Sequence, residues 1–279
     1  MIFDKKLFIF FMVSLIAAGF LFYNYHTTVL ALNQNVAADV NASAGVVEPR
    51  LKPDRQTVKA VYITAYSAGN KNKMNEIINL LNKTELNAVV IDIKDYSGKI
   101  LYNSRLDLVN ELKAKDDRVK DLRALIQKLH RNDIYVIARQ TVFQDPWLAN
   151  KKTEWAIKNK NGGVWMDNKG LAWVDPTRRE VWEYNLAIAK EAIGFGFDEI
   201  NFDYMRFPSD GNMSVVKYNI GDKKKYEVMG EFYKFLSDGL KDEPALISID
   251  VFGLVMEHKA EEDMNIGQRL VDAVENFDY

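Results

Sequence analysis

Residues 197–210 read FDEINFDYMRFPSD, with four acids, one Arg and one Asn set among Phe, Ile, Tyr and Met. A carboxylate withdrawn from water is costly unless it is paired or used. A run this hydrophobic and this acidic therefore needs a fold with two unlike faces. Read as a strand, side chains alternate with period two. Ile200 and Phe202 then share one face, and Glu199, Asn201 and Asp203 share the other. The apolar face must be covered by helices, so the polar face points away from them. Asp198, near the strand start on the outward face, reads as a helix–strand boundary residue.

The same pattern extends in both directions. VKAVYITAY (58–66), NAVVIDIKD (87–95), IYVIARQTVF (134–143) and ALISIDVFG (245–253) are short and rich in β-branched and aromatic residues. Polar or Gly/Pro signals bound each of them. Between the strands, 73–85, 118–133, 179–196 and 224–240 carry apolar residues at three-and-four spacing, which predicts helices. Strands alternating with helices imply a parallel sheet covered by helices. Five such units favour a (β/α) TIM-type barrel over a doubly wound sheet. No Gly-x-Gly-x-x-Gly follows the first strand, which points the same way. Two segments break the repeat. Residues 96–116 read as a hairpin-like excursion. Residues 144–180 form a long loop carrying Trp147, Trp155, Trp165 and Trp173. With Trp182, this cluster is either a small aromatic core under the loop or a stacking platform for sugar rings.

Period-two parity, applied strand by strand, names the inward side chains. They are Tyr62, Thr64 and Tyr66; Asp92 and Lys94; Tyr135, Ile137, Arg139 and Thr141; Ser248, Asp250 and Phe252. Each set becomes polar toward its C-terminal end, so Asp92, Lys94, Arg139, Asn201, Asp203 and Asp250 converge on one mouth. In β/α barrels that is the catalytic face. Glu199 lies deepest and is expected to pair with Arg139 or Lys94. A structural ion network across the barrel is the alternative.

Composition narrows the chemistry. The 279 residues are 48% hydrophobic and 27% charged, with 37 basic and 39 acidic residues and a net charge of −2. That balance gives no electrostatic basis for nucleic-acid binding. With no cysteine, disulfides, thiolate zinc sites and thiol nucleophiles are excluded. The histidines His26, His130 and His258 form no metal-binding pattern. No cofactor is expected. At the N-terminus, Lys5 and Lys6 precede an apolar run from Leu7 to Tyr23. This predicts a hydrophobic helix, either a signal peptide ending near Ala31 or an uncleaved membrane anchor. Both place the remainder outside the cytoplasm, secreted or anchored. Residues 32–57 read as a linker and 58–279 as the barrel domain.

The stretches NAVVIDIKDYSGKILYNS (87–104), IYVIARQTVFQDPWLA (134–149), WVDPTRREVWEYNLAIAKEAIGFGFDEINFDYMRFP (173–208) and IDVFG (249–253) resemble the glycosyl hydrolase-like TIM-barrel family of bacterial exported proteins, within the glycosidase superfamily. The resemblance runs from about residue 58 onward. Similar domains continue past Asp278–Tyr279, so five strands are expected here and the barrel is expected to be incomplete. The resemblance implies a glycoside hydrolase acting on an extracellular or cell-wall polysaccharide or oligosaccharide. Such chemistry needs two carboxyls flanking the scissile bond. Asp203, ending the fourth strand, becomes the candidate nucleophile or oxocarbenium stabiliser. Asp250 becomes the acid/base, unless that partner lies on a later strand. Arg139 and Asn201 are expected to orient Asp203 as its anion. Lys94 or Arg206 suits sugar hydroxyls or the carboxylate of an acidic glycan. Tyr62, Tyr66, Asp92 and Trp173 complete the expected substrate contacts. Two rivals stand beside this reading: a non-catalytic glycan-binding barrel, and a magnesium enzyme using Asp92, Asp203 and Asp250 as oxygen ligands.

Overall fold

Each predicted run of β-branched residues becomes a strand that pairs with the next such run in the chain. The computed structural model describes residues 50–279. The expected N-terminal helix, the export segment and residues 32–49 of the linker lie outside the described residues. From the start of the domain the elements are β1 (Ala60–Ile63), α1 (Ala65–Ala68), α2 (Lys71–Leu81) and β2 (Ala88–Lys94). Next come β3 (Ile100–Tyr102), α3 (Asp107–Glu111), β4 (Lys115–Val119), α4 (Leu122–His130) and β5 (Tyr135–Thr141). They are followed by α5 (Pro146–Lys151), β6 (Lys158–Asn159), α6 (Arg179–Phe195) and β7 (Glu199–Asp203). The last are β8 (Val216–Lys217), α7 (Lys225–Leu240), β9 (Leu246–Ile249) and α8 (Leu270–Asn276).

β1 pairs with β2, β2 with β5, β5 with β7 and β7 with β9, all parallel. This sequential order is that of a β/α barrel wall; a doubly wound sheet would reverse direction partway. Among the described residues the sheet does not close, since β1 and β9 do not pair with each other. Beyond β9, the Asp278 N–H donates to the Ile247 carbonyl at 2.8 Å. Residues 52–56, read as linker, are tied to this same corner. Lys52 and Arg55 pair with Asp278 at 3.4 and 3.1 Å, and the Gln56 N–H donates to the Tyr279 hydroxyl at 2.6 Å. Among the described residues no helix is long and apolar enough to cross a membrane.

The helices begin and end on local signals. Asn70 caps α2 by accepting from the N–H groups of Asn72 and Lys73, and Asp121 caps α4 by accepting from Ala124. Asp145 caps α5, which carries Pro in its first turn. Gly196 ends α6 in the left-handed region, with φ of +117°. α6 buries Val181, Trp182, Tyr184, Ile188, Ala189, Ala192 and Ile193, an apolar stripe at helical spacing. Each large member contributes about 1.5–3 kcal/mol by leaving water. The stripe packs in one core with the outward strand residues Val89, Ile91, Val136, Ala138, Ile200 and Phe202. Ala88, Tyr135 and Ile137 form a separate, smaller cluster with Val58 and Val90. The parity reading of the two sheet faces therefore holds through the middle of the strands.

The two irregular segments differ from expectation in detail. In 96–116, β3 runs antiparallel to the end of β2, but β4 runs parallel to β3 with α3 between them. It is therefore a hairpin only in its first turn. In 144–180, short bridges fold the loop onto itself, and the β6–β8 pair ties it to the segment after β7. Trp165 and Trp173 are buried in it, and Trp182, on α6, is buried against Phe232 and Phe235 of α7. Their indole N–H groups donate to the Asn212 carbonyl, the Asp167 carboxylate and the Pro176 carbonyl. For these three the aromatic-core reading is the one observed.

Candidate active site

Register sets Asp92, Arg139, Asn201 and Ser248 side by side on β2, β5, β7 and β9. Asp203 and Asp250 follow two residues later on their chains, at the C-terminal mouth. The Tyr62 hydroxyl donates to Asp92 Oδ2. Arg139 Nη1 donates to Asp92 Oδ1 at 2.8 Å, and Nη2 donates to Asp203 Oδ2. Asp203 Oδ1 accepts from the N–H of Tyr204 at 2.6 Å. That N–H is aimed by Tyr204's left-handed backbone, φ +55°. A non-glycine residue there stores local strain, a feature that clusters at functional sites. On the far side, Asn201 Nδ2 donates to Ser248 Oγ at 3.2 Å and to Asp250 Oδ1 at 3.1 Å. A polar line thus crosses from β1 to β9.

Several expected contacts are corrected. Lys94 does not reach the mouth. The β2 ladder shifts register between Asp92 and Lys94, so Lys94 lies opposite Gln140, with Arg139 taken by Asp92. One extra residue reverses the parity beyond it. Lys94 then points to the helix side, where its Nζ meets Asp145 at 2.8 Å, the Thr141 carbonyl at 2.8 Å and Asn185 at 3.3 Å. Glu199 pairs with neither Arg139 nor Lys94. It accepts from the hydroxyls of Ser248 and Tyr135. Asn201 orients Asp250 in place of Asp203. Tyr66 lies past the end of β1, on α1, because the Thr64 hydroxyl accepts from the Ser67 N–H and caps a helix there. It still lines the mouth, with Arg118 stacked 4.3 Å from its ring. Trp173 is 1% exposed and offers no open face to a sugar. Arg206 stands beyond β7, its guanidinium 5.4 Å from the rings of Trp173 and Phe252 and 5.5 Å from Tyr204.

Electrostatics separates the carboxylates. Asp250 is exposed at its strand end; partial desolvation by its neighbours raises its pKa above the ordinary carboxylate value, and the charge of Asp203 adds to this against the Asn201 hydrogen bond and Arg139. Burial likewise raises Glu199, although two hydroxyls donate to it. Burial and the bond to Asp92 push the Tyr62 phenol up to about 12. For Arg139, burial opposes the charge, but Asp203 and Asp92 outweigh it and hold the group above the ordinary arginine value.

The mouth opens into a cavity of about 870 Å³ lined by Tyr62, Tyr66, Asp92, Arg139, Gln144 and Tyr204, among others. Tyr96, 62% exposed, also lines it and extends into a neighbouring 430 Å³ cavity beside Trp147. Sequence reasoning missed Tyr96, Gln144 and Tyr204. Tyr96 was legible only as an aromatic just past a strand end. No metal fits the three aspartates as placed, since the Arg139 guanidinium occupies the space between Asp92 and Asp203. Among the described residues no group of three or more His, Asp or Glu is arranged to hold a metal ion.

Residues 60–279 match the family described as "Putative glycosyl hydrolase domain". A hypothetical protein from Ruminiclostridium thermocellum is 39% identical, with a TM-score of 0.65, covering 69% of this chain and 98% of its own. An alpha-L-fucosidase from Paenibacillus thiaminolyticus (12% identity, TM-score 0.51) is similar over 70% of this chain and 33% of its own. A chitobiase from Flavobacterium johnsoniae (12%, 0.50) is similar over 70% and 31%. The chain spans about a third of those two enzymes, and the likeness is one of fold. No curated protein matches the sequence. The family match across residues 60–279 and the clostridial relative agree, and the chain belongs to this glycosyl hydrolase-like family.

Proposed function

We propose that the protein hydrolyses glycosidic bonds of an extracellular or cell-wall polysaccharide, with Asp203 and Asp250 as the working pair. One observation carries this reading. Two carboxyls stand at the ends of adjacent strands in one mouth, in unlike surroundings. Asp203 is held by a guanidinium and a backbone N–H, which fix its orientation for the part of nucleophile or oxocarbenium stabiliser. Asp250, exposed but partly desolvated, is raised by that and by the charge of Asp203, which suits a proton donor and acceptor. Arg139 fixes Asp203, Asn201 fixes Asp250, and Tyr62, Tyr66 and Tyr96 supply aromatic surface around the cavity. The family's glycosyl hydrolase description supports the same class. The N-terminal apolar run supports export, either secreted or held at the membrane.

The test is reducing-end release from a panel of plant, fungal and bacterial wall glycans, with Asp203→Asn and Asp250→Asn run in parallel. Turnover that survives both substitutions removes the pair from the mechanism. One observation favours a second reading, a glycan-binding barrel without turnover: Asp203 Oδ2 is already engaged by Arg139. Glycan binding with no bond cleavage across the panel would select it.

A further inference from the structure

We infer that the glycan bound at this mouth is anionic and that Arg206 reads its negative group; the inference rests on the saccharide reading above. The sequence names three cations for this mouth, and the flexible, exposed Lys169 of the long loop lines the cavity beside them. Two are consumed internally: Lys94 is sealed against Asp145, and Arg139 is shared by Asp92 and Asp203. Arg206 differs. It makes no ion pair with any described residue. Only Nη1 is used, donating to the Phe207 carbonyl at 3.3 Å and Ser209 Oγ at 3.0 Å. Nε and Nη2 have no partner among the described residues, and neither is among the atoms sealed from solvent. That edge is the pair of parallel N–H donors that matches a carboxylate or phosphate.

The position is as informative as the free edge. Arg206 lies three residues past Asp203. It packs against Phe252, two residues past Asp250. It therefore bridges the two segments that leave the carboxyl-bearing strands β7 and β9. Trp173, Tyr204 and Phe252 hold the guanidinium plane in place, so little freedom is lost when it binds. Burial lowers its pKa against the pull of Tyr204, Asp210 and Asp203. A charge left short of compensation gains most from an incoming anion. This also gives the buried Trp173 a role: it does not stack on sugar, but forms one wall around the residue that meets it.

The experiment puts full-length wild type, Arg206→Gln and Arg206→Lys on one glycan panel. The carboxylate arm holds oligomers of galacturonate and glucuronate together with their methyl esters. The phosphate arm holds a phosphomannan, and the neutral arm holds cellulose, xylan, chitin and α-glucan oligomers. Wild type should bind or cleave only anionic members and should weaken as salt rises. If the group is a carboxylate, the methyl esters should be lost. If it is a phosphate, only phosphomannan should remain. Arg206→Gln should lose at least tenfold and lose the salt dependence. Arg206→Lys should keep the salt dependence while losing affinity, which a merely structural role would not produce. Recognition of neutral glycans, or anionic binding within twofold of wild type in Arg206→Gln, overturns the inference and leaves glycoside hydrolysis standing. Recognition of no glycan removes both.

Discussion

Lys94 and Asp145 form an ion pair at 2.8 Å in which both side chains are completely buried. The pair joins the end of β2 to the cap of α5. Gly98 belongs to the same knot: its φ is +78°, and a Cβ there would lie 2.0 Å from Asp145 Oδ1. Removing one member of a buried pair strands the other in a poor medium, at about 3–5 kcal/mol. Lys94→Met should therefore lower the melting temperature sharply. Asp145→Asn added to it should recover part of the loss, because Asn can still cap Leu148. Recovery should be incomplete, since the Thr141 carbonyl also loses its donor. A double variant no more stable than Lys94→Met would show that the charge pair is not the source of the cost.

The same pair shows where sequence reading stopped. Parity placed Asp92, Arg139, Asn201 and Ser248 correctly because their ladders run without interruption as far as these residues. It failed at Lys94 because a single register shift, invisible in the residue pattern, reverses every side chain beyond it. It failed for Tyr66 because Thr64 both continues a strand pattern and caps a helix. The tryptophans share a loop whose fold is set by long-range contacts, so composition alone left core and platform open. The left-handed turn at Tyr204, which aims an N–H at Asp203, has no glycine to announce it.

Glu199 makes stability depend on pH. Burial raises its folded pKa, so the native state binds its proton more tightly than the unfolded chain. The resulting stability is complete below the ordinary carboxylate value, about 4.3, and is lost as pH rises through the raised value. A tenfold difference in proton affinity between the two states corresponds to about 1.4 kcal/mol. Glu199→Gln should therefore gain on wild type between pH 4 and pH 7.5 in parallel thermal melts. A constant difference in melting temperature across that range would count against the linkage.

Export is tested without the domain's chemistry. Met1–Ala31, fused ahead of a reporter that works only outside the cytoplasm, should give signal, and replacing Lys5 and Lys6 with Glu should reduce it. Fractionation then separates a cleaved, secreted product from one retained at the membrane. Native protein found soluble in the cytoplasm with Met1 intact would rule out both forms.

Asp203 and Asp250 should be separable by substitution and by titration. Asp203→Asn keeps an acceptor for the Tyr204 N–H and a neutral partner for Arg139, so the fold should hold. Loss of its charge should cut kcat/KM by about 10²–10⁴-fold or more. Asp250 should set the alkaline limb of the pH profile. Its raised pKa keeps the acid form present to higher pH, and the rate falls as that proton is lost. Asp250→Asn should remove this limb along with most of the activity. The two residues are also coupled, because the charge of Asp203 helps to raise Asp250. An NMR titration of the Asp250 carboxyl should therefore move to lower pH in Asp203→Asn. That readout needs no substrate and is independent of whether the true glycan has been found. An unchanged Asp250 titration would mean that the two groups do not sense each other across the mouth, and their assignment as a catalytic pair would fall.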